Sequence, residues 1–242
     1  MSKIKDNIKV ANLWIDLVYG MLKYRLKLNE DFNNNYMICQ KICQHVIKSS
    51  GIKLTVNGKE NIPAEGSVLI ASNHRSFFDI IVLLASIDRA MSFVVAKELC
   101  EYPVLKKYIE SINCIPVNRE ETDITKMKAQ LRNMSDALQE NGLILFPEGA
   151  CNYFEDEVAE FKKGGFKGAK THNSAIVPTY INMGKIKNLG RWVIPTEEVT
   201  VTFGEAYKMS NNNNELIKPN EIANYTREKV LELKRTSTNR II

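Results

Sequence analysis

At 242 residues, with 44% hydrophobic and 25% charged side chains, the chain can bury a substantial core in one large domain, and its composition excludes collagenous repeats and wholesale disorder. Its 33 basic and 28 acidic residues leave a formal charge of +5, which argues against a nucleic-acid binder and suits an anionic lipid surface, a phosphorylated substrate or a plain soluble surface. The 5 cysteines are scattered without a CxxC pair, which points to a reducing compartment rather than a disulfide scaffold.

Residues 1–50 read as two helices parted by the polar stretch Asn29 to Asn35. The first is dense in Val10, Leu13, Trp14, Ile15, Leu17, Val18, Tyr19, Met21 and Leu22, is broken by Asp16, and is followed by Lys23, Arg25 and Lys27. Apolar and aromatic side chains bordered by cations suit a helix lying in a membrane interface, the alternative being a helix packed on the protein's own core. In the second, Cys39, Cys43 and His45 lie close together but are too few for a zinc shell, and read as one helix face. The longest apolar run, Ile80 to Ile87, falls far short of the roughly 20 residues that span a bilayer.

Residues 51–242 read as an α/β domain. Ile52 to Val56 alternates like a strand and ends at the turn signal Asn57-Gly58. Val68 to Ala71 is a second strand, Ile80 to Ser86 a buried helix, and Met91 to Ala96 and Ile112 to Val117 are further strands. Ile124, Met127, Leu131, Met134 and Leu138 recur at helical spacing until Asn141-Gly142 stops them. Leu143 to Phe146, Ala175 to Ile181 and Val199 to Phe203 follow as strands, Asn211 to Asn214 as a loop, and Pro219 to Arg235 as a closing helix. This alternation predicts a mixed, mostly parallel central sheet flanked by helices, preceded by the N-terminal helical pair.

Two turns at strand ends carry the polar chemistry. In Asn73-His74-Arg75-Ser76-Phe77-Phe78-Asp79, a single continuous helix would set His74 and Asp79 about 140° apart. With His74 in the loop after the strand and Asp79 in the first turn of the next helix, the two can meet. A carboxylate on one ring nitrogen fixes the tautomer and frees the other to accept a proton. Such a general base needs no serine or cysteine nucleophile when the substrate brings its own hydroxyl. Phe146-Pro147-Glu148-Gly149 ends another strand, where α/β proteins place ligands, and its turn can present Glu148 and backbone amides. Arg119, after Ile115-Pro116-Val117-Asn118, has the fork geometry for phosphate, although a surface arginine is the default. The stretch around Pro178 can line an apolar wall or belong to the core.

In this order, these blocks resemble the glycerolipid acyltransferase family, whose best-known members are the 1-acylglycerol-3-phosphate acyltransferases. The resemblance runs from Lys53 to Ile181 and rests on a complete NHxxxxD block, with Asn73 and Ser76 inside it, and on FPEG. It implies His74 as general base and Asp79 as its orienting partner. It implies Phe146, Pro147, Glu148 and Gly149 around the glycerophosphate, Arg119 on its phosphate with Lys97 and Lys163 nearby, and Pro178 in the acyl-binding region. The implied reaction moves a fatty acyl group from acyl-CoA or acyl carrier protein onto 1-acyl-glycerol-3-phosphate, giving phosphatidic acid for phospholipid biosynthesis. The acyl carrier is then a co-substrate, and no resident cofactor, metal or nucleic acid is implied. The implied location is the cytoplasmic face of the cell membrane, peripheral or monotopic. Amides at the start of the helix after His74 are the expected oxyanion donors.

Two departures from the family pattern stand out. Ala150-Cys151-Asn152 replaces the usual Thr-Arg-Ser, removing a hydroxyl and a cation, and Asn113 and Pro116 replace a glycine and a phenylalanine of the second block. Both bear on the acceptor, which opens the alternative of another lysophospholipid or polar alcohol. Cys151 paired with His74 gives an alternative of a different class, a thioesterase.

Overall fold

The structure, a computed structural model, describes residues 2–153, 157–189, 192–208 and 218–238. Helices α1 (Ser2–Tyr24) and α2 (Phe32–Ser50) form the expected N-terminal pair and pack on each other. The polar break between them is shorter than Asn29 to Asn35. Asp31 caps α2, its carboxylate accepting from the Asn33 and Asn34 amides at 2.8 and 3.2 Å, so those asparagines already belong to the helix. Gly51, at φ +69°, ends α2 in the left-handed conformation and returns its N–H to the Lys48 carbonyl.

The remaining elements are β1 (Lys53–Asn57), β2 (Val68–Ser72), α3 (Phe78–Ser86), β3 (Ser92–Ala96), α4 (Pro103–Ser111), β4 (Ile115–Val117) and α5 (Ile124–Glu140), then β5 (Leu143–Leu145), α6 (Phe166–Thr171), β6 (Ala175–Asn182), β7 (Ile186–Leu189), β8 (Trp192–Pro195), β9 (Glu198–Phe203) and α7 (Pro219–Thr238). One 7-stranded sheet has the order β1-β9-β6-β2-β5-β3-β4. Strands β6, β2, β5, β3 and β4 run parallel, while β9, with β1 parallel beside it, runs antiparallel to β6. The sheet is therefore mixed and mostly parallel, as the alternation predicted. Helices α4 and α6 and the separate β7–β8 hairpin are additions to the sequence reading. Strand β4 is shorter than Ile112 to Val117, because Asn113 at φ +48° turns the chain out of α4 first. Asn211 to Asn214 lie outside the described residues.

Alternation along β2 divides the core in two. Val68 and Ile70 join the cluster beneath α1–α4, whereas Leu69 and Ala71 join the one beneath α5–α7. Covered on both faces, such a strand reads as an unbroken apolar run. Pro178 sits inside β6, opposite Ala71. Its carbonyl accepts from Gly204 at 2.8 Å, and its missing N–H leaves that position with a single bond, where β9 ends.

Helix α1 is apolar on two sides. Leu13, Leu17 and Met21 enter the core, while Ile15, Val18, Tyr19, Leu22 and Leu26 (just past the helix) form an outward row 46–93% exposed. Trp14 belongs to neither a free nor an interfacial position: its ring stacks on Phe77, centroids 5.5 Å apart. Cys39 and Cys43 are buried on the inner face of α2 while His45 points to solvent, so that trio does not converge. Among the described residues, no helix is long and apolar enough to cross a membrane.

Candidate active site

His74 lies in the loop between β2 and α3, and Asp79 in the first turn of α3, so residues 5 apart in sequence meet without sharing a helix. His74 Nδ1 and Asp79 Oδ2 are 2.8 Å apart. The same oxygen accepts from the Arg75 and Ser76 amides at 2.7 and 2.9 Å. One carboxylate oxygen thus ties the loop together and orients the ring, while Oδ1 is buried without a partner. The His74 and Asp79 side chains are only 8% and 1% exposed.

Asn73 and Ser76 hold the loop in place. Asn73 donates to the Ile181 carbonyl and accepts from the Ile181 amide at 3.1 and 2.8 Å, clamping the end of β2 to β6. Ser76 Oγ donates to the Val193 carbonyl at 2.6 Å and accepts from the Phe78 amide at 2.9 Å. Their polar atoms are used on the protein's own backbone, which leaves them as supports of the loop rather than substrate contacts. The oxyanion expectation also changes. The His74, Arg75, Ser76 and Phe78 amides all donate to protein side chains, so these four are not available to form that hole.

The turn after β5 closes over the ring. Phe146 stacks on His74 with centroids 3.9 Å apart and planes 13° apart. Glu148 bridges two loops, Oε1 accepting from the His74 amide at 2.8 Å and Oε2 from the Ala159 amide at 3.2 Å. Expected at the substrate, Glu148 instead sits 6% exposed with both oxygens engaged by the protein. Burial lifts its carboxyl above the ordinary range, and the two amides counteract this. Gly149, at φ +72°, makes the tight turn that Pro147 and Glu148 enter. The half-buried Cys151 places Sγ 3.0 Å from His74 Nε2. Burial pulls the imidazole towards neutrality, but the hydrogen bonds and charges of Asp79 and Cys151 outweigh it and lift the ring from 6.5 to about 9.

The cations expected around this centre share one edge of the sheet. Lys97 follows β3 and Arg119 follows β4, so both sit, exposed, beyond the carboxyl ends of strands parallel to β2 and β5. Open α/β sheets bind ligands along this edge. Lys163 opens a short 3-10 turn, also exposed. Its neighbour Lys162 lies closer to the FPEG turn: its amide donates to the Pro147 carbonyl at 2.8 Å, and its Nζ occupies the space over Gly149. The resemblance pointed to Lys163, whereas Lys162 is the one that meets the FPEG turn. Pro178, by contrast, is buried within β6 opposite Ala71 and is not among the residues that line the apolar space. A pocket with about 630 Å³ of empty space, part of it open to solvent, is enclosed by α1–α4 and β3 and lined by residues including Leu17, Cys43, Leu84 and Tyr108. It reaches Phe77, inside the His74–Asp79 loop.

Comparison with known proteins gives consistent matches. The family model described as acyltransferase matches residues 53–182. A 1-acyl-sn-glycerol-3-phosphate acyltransferase of Chlamydomonas reinhardtii is 28% identical over 204 residues, 83% of this chain and 58% of that protein. One from Borreliella burgdorferi is 27% identical over 143 residues, 58% of this chain and 56% of that protein. The chain thus spans little more than half the length of these relatives. The crystal structure of the 1-acyl-sn-glycerophosphate acyltransferase PlsC from Thermotoga maritima superposes with a TM-score of 0.69 at 22% identity, covering 97% of this chain and 98% of that one. At that identity, the likeness is one of fold.

Proposed function

This chain belongs to the acyltransferase family, and from that premise we propose that it transfers a fatty acyl group from a thioester donor, acyl-CoA or acyl carrier protein, to 1-acyl-glycerol-3-phosphate, yielding phosphatidic acid. The observation that carries the reading is the His74–Asp79 pair at the carboxyl edge of the parallel strands, with Lys162 over the FPEG turn and Lys97 and Arg119 further along the same edge. An alcohol is a poor nucleophile at neutral pH. His74 Nε2 takes the proton of the acceptor's hydroxyl as its oxygen attacks the acyl carbonyl, and Asp79 balances the imidazolium that forms. The carrier thiolate, with a parent pKa near ~8.5, departs with little assistance. The cations hold the acceptor's phosphate and so set its hydroxyl beside the base.

The pocket under α1–α4 suits the acyl chain, being lined almost wholly by apolar side chains and reaching Phe77 beside the base. The outward row of α1, with Lys23 and Lys27 stacked over Tyr19 and Tyr24, fits a peripheral seat on the cytoplasmic face of a membrane.

The deciding assay supplies purified protein with labelled palmitoyl-CoA or palmitoyl-acyl carrier protein and a panel of lysolipids. Phosphatidic acid is the expected product. A clear preference for lysophosphatidylcholine overturns the acceptor, and transfer to no lysolipid overturns the reaction. Arg119→Ala should raise the acceptor's KM about tenfold or more, the loss of about 1.5–3 kcal/mol from one charge-assisted phosphate contact. Leu84→Trp should shift the preferred donor to shorter chains.

A further inference from the structure

The nitrogen that the acceptor's hydroxyl needs is already taken. Cys151 Sγ lies 3.0 Å from His74 Nε2, and the far side of that ring is held by Asp79 at 2.8 Å, so thiol, imidazole and carboxylate stand in one line of hydrogen bonds. The contact is built in on both sides of the cysteine. The Asn152 amide donates to the His74 carbonyl at 2.9 Å, and the Gly149 amide closes the preceding turn on Phe146 at 3.1 Å. Of the other thiols, Cys39, Cys43 and Cys114 line the apolar pocket. A nucleophile within hydrogen-bond reach of a base that a third group orients is the arrangement that covalent catalysis requires. The apolar pocket begins at Phe77, inside the same loop.

We propose that Cys151 carries the acyl group between donor and acceptor. The idea rests on the acyl-transfer reading above and adds a covalent intermediate to it. In the first half, Cys151 gives its proton to His74 Nε2 as Sγ bonds to the acyl carbonyl carbon. The donor's C–S bond then breaks, and its thiolate leaves with the proton from His74. In the second half, His74 takes the proton of the acceptor's hydroxyl, whose oxygen bonds to the same carbon. The Sγ–C bond breaks, and Cys151 recovers its proton from His74. One thioester replaces another in the first half, so the acyl group stays activated, and formation of the oxygen ester drives the second. The proton that His74 takes from Cys151, on a ring held from its far side by Asp79, is the one that the departing carrier then receives.

The test uses the full chain with labelled palmitoyl-CoA, and in parallel with palmitoyl-acyl carrier protein, without acceptor. After an acid quench, the protein is examined by intact and peptide mass spectrometry. The expected result is one palmitoyl group on the Cys151 peptide, released by neutral hydroxylamine and chased into lipid when lysophosphatidic acid is added. Labelling disappears in Cys151→Ala and in His74→Ala, and double-reciprocal plots for wild type are parallel. Absence of label, in a preparation that makes phosphatidic acid from the same donor, overturns the proposal. So does wild-type turnover in Cys151→Ala, or intersecting double-reciprocal lines. Label on Cys151 that passes only to water supports the covalent step while overturning the lysolipid acceptor, so the two readings fail separately.

Discussion

Asp79→Asn and Asp79→Ala separate two jobs that one oxygen performs. Oδ2 accepts three hydrogen bonds, from the His74 ring and the Arg75 and Ser76 amides, whereas Oδ1 has no partner. In Asp79→Asn, the two amides pin the new carbonyl oxygen where Oδ2 was, so His74 keeps its Nδ1–H tautomer. The amide nitrogen takes the place of an atom that already lacked a partner. Each of the bonds changes from charge-assisted to neutral, about 1 kcal/mol apiece, and relief from burying a lone carboxylate offsets most of that. Net stability should stay within about 2 kcal/mol of wild type. Asp79→Ala instead leaves two buried amides without an acceptor at about 1–3 kcal/mol each, so it should be less stable than Asp79→Asn by about 2 kcal/mol or more. Activity should fall in both. Unit charges about 4 Å apart at an effective dielectric of about 20 attract by about 4 kcal/mol, so losing half to all of that attraction on the imidazolium slows transfer about 30- to 10³-fold. Denaturant unfolding and transfer kinetics on the same preparations give both quantities. Wild-type turnover in Asp79→Asn would refute the charge argument, and equal stability of the two variants would refute the bracing argument.

The raised imidazole makes stability depend on pH in a definite direction. Its contribution is fully present below the unfolded value of 6.5 and is lost as pH rises through about 9, the interval being worth about 3 kcal/mol. Unfolding midpoints from pH 6 to 9 should therefore fall more steeply in wild type than in His74→Gln, and parallel curves would count against it. Gly149→Ala places a Cβ 2.8 Å from Lys162 Nζ at φ +72°. The lysine can swing aside, so the cost is about 1 kcal/mol of backbone strain, a drop of about 2–4 °C in Tm, together with a raised acceptor KM as Lys162 moves. Tyr19→Glu and Leu22→Glu, at positions 57% and 52% exposed, should leave Tm unchanged and release the protein from anionic vesicles in co-sedimentation. A large fall in Tm would show those side chains to be core.

The parts of this fold written in local pattern were readable. The unbroken run Val68 to Ala71 marked a strand buried on both faces, and the break after it placed His74 in a loop and Asp79 in a helix. What stayed hidden depends on which partner a side chain meets. Helical spacing showed that Trp14 and Leu22 are apolar but not that Trp14 meets Phe77 while Leu22 is left half exposed. The FPEG turn showed a carboxylate at a strand end, yet not that amides from His74 and Ala159 converge on it. Amides near His74 looked open to an oxyanion until Asp79 proved to occupy two of them. Cys151 stood out as a departure from the family pattern. Its 3.0 Å approach to His74 arises only when the ends of β2 and β5 lie side by side.

Glu148 has a mechanical consequence. Its two oxygens fasten the backbone of the base to Ala159, a few residues before Lys162, and the Lys162 amide is itself fastened to Pro147. The separation between proton acceptor and lysine is therefore fixed by one side chain and two short turns, instead of accumulating the play of every residue along the intervening chain. Errors in one loop are transmitted to the other rather than added to it, so the gap a substrate must span stays constant while the pair moves as a unit. Because burial has already lifted the Glu148 carboxyl, it takes up a proton at a higher pH than an ordinary glutamate does. A protonated carboxyl faces two N–H groups with one acceptor fewer. The linkage then slackens, and the catalytic geometry should loosen as pH falls.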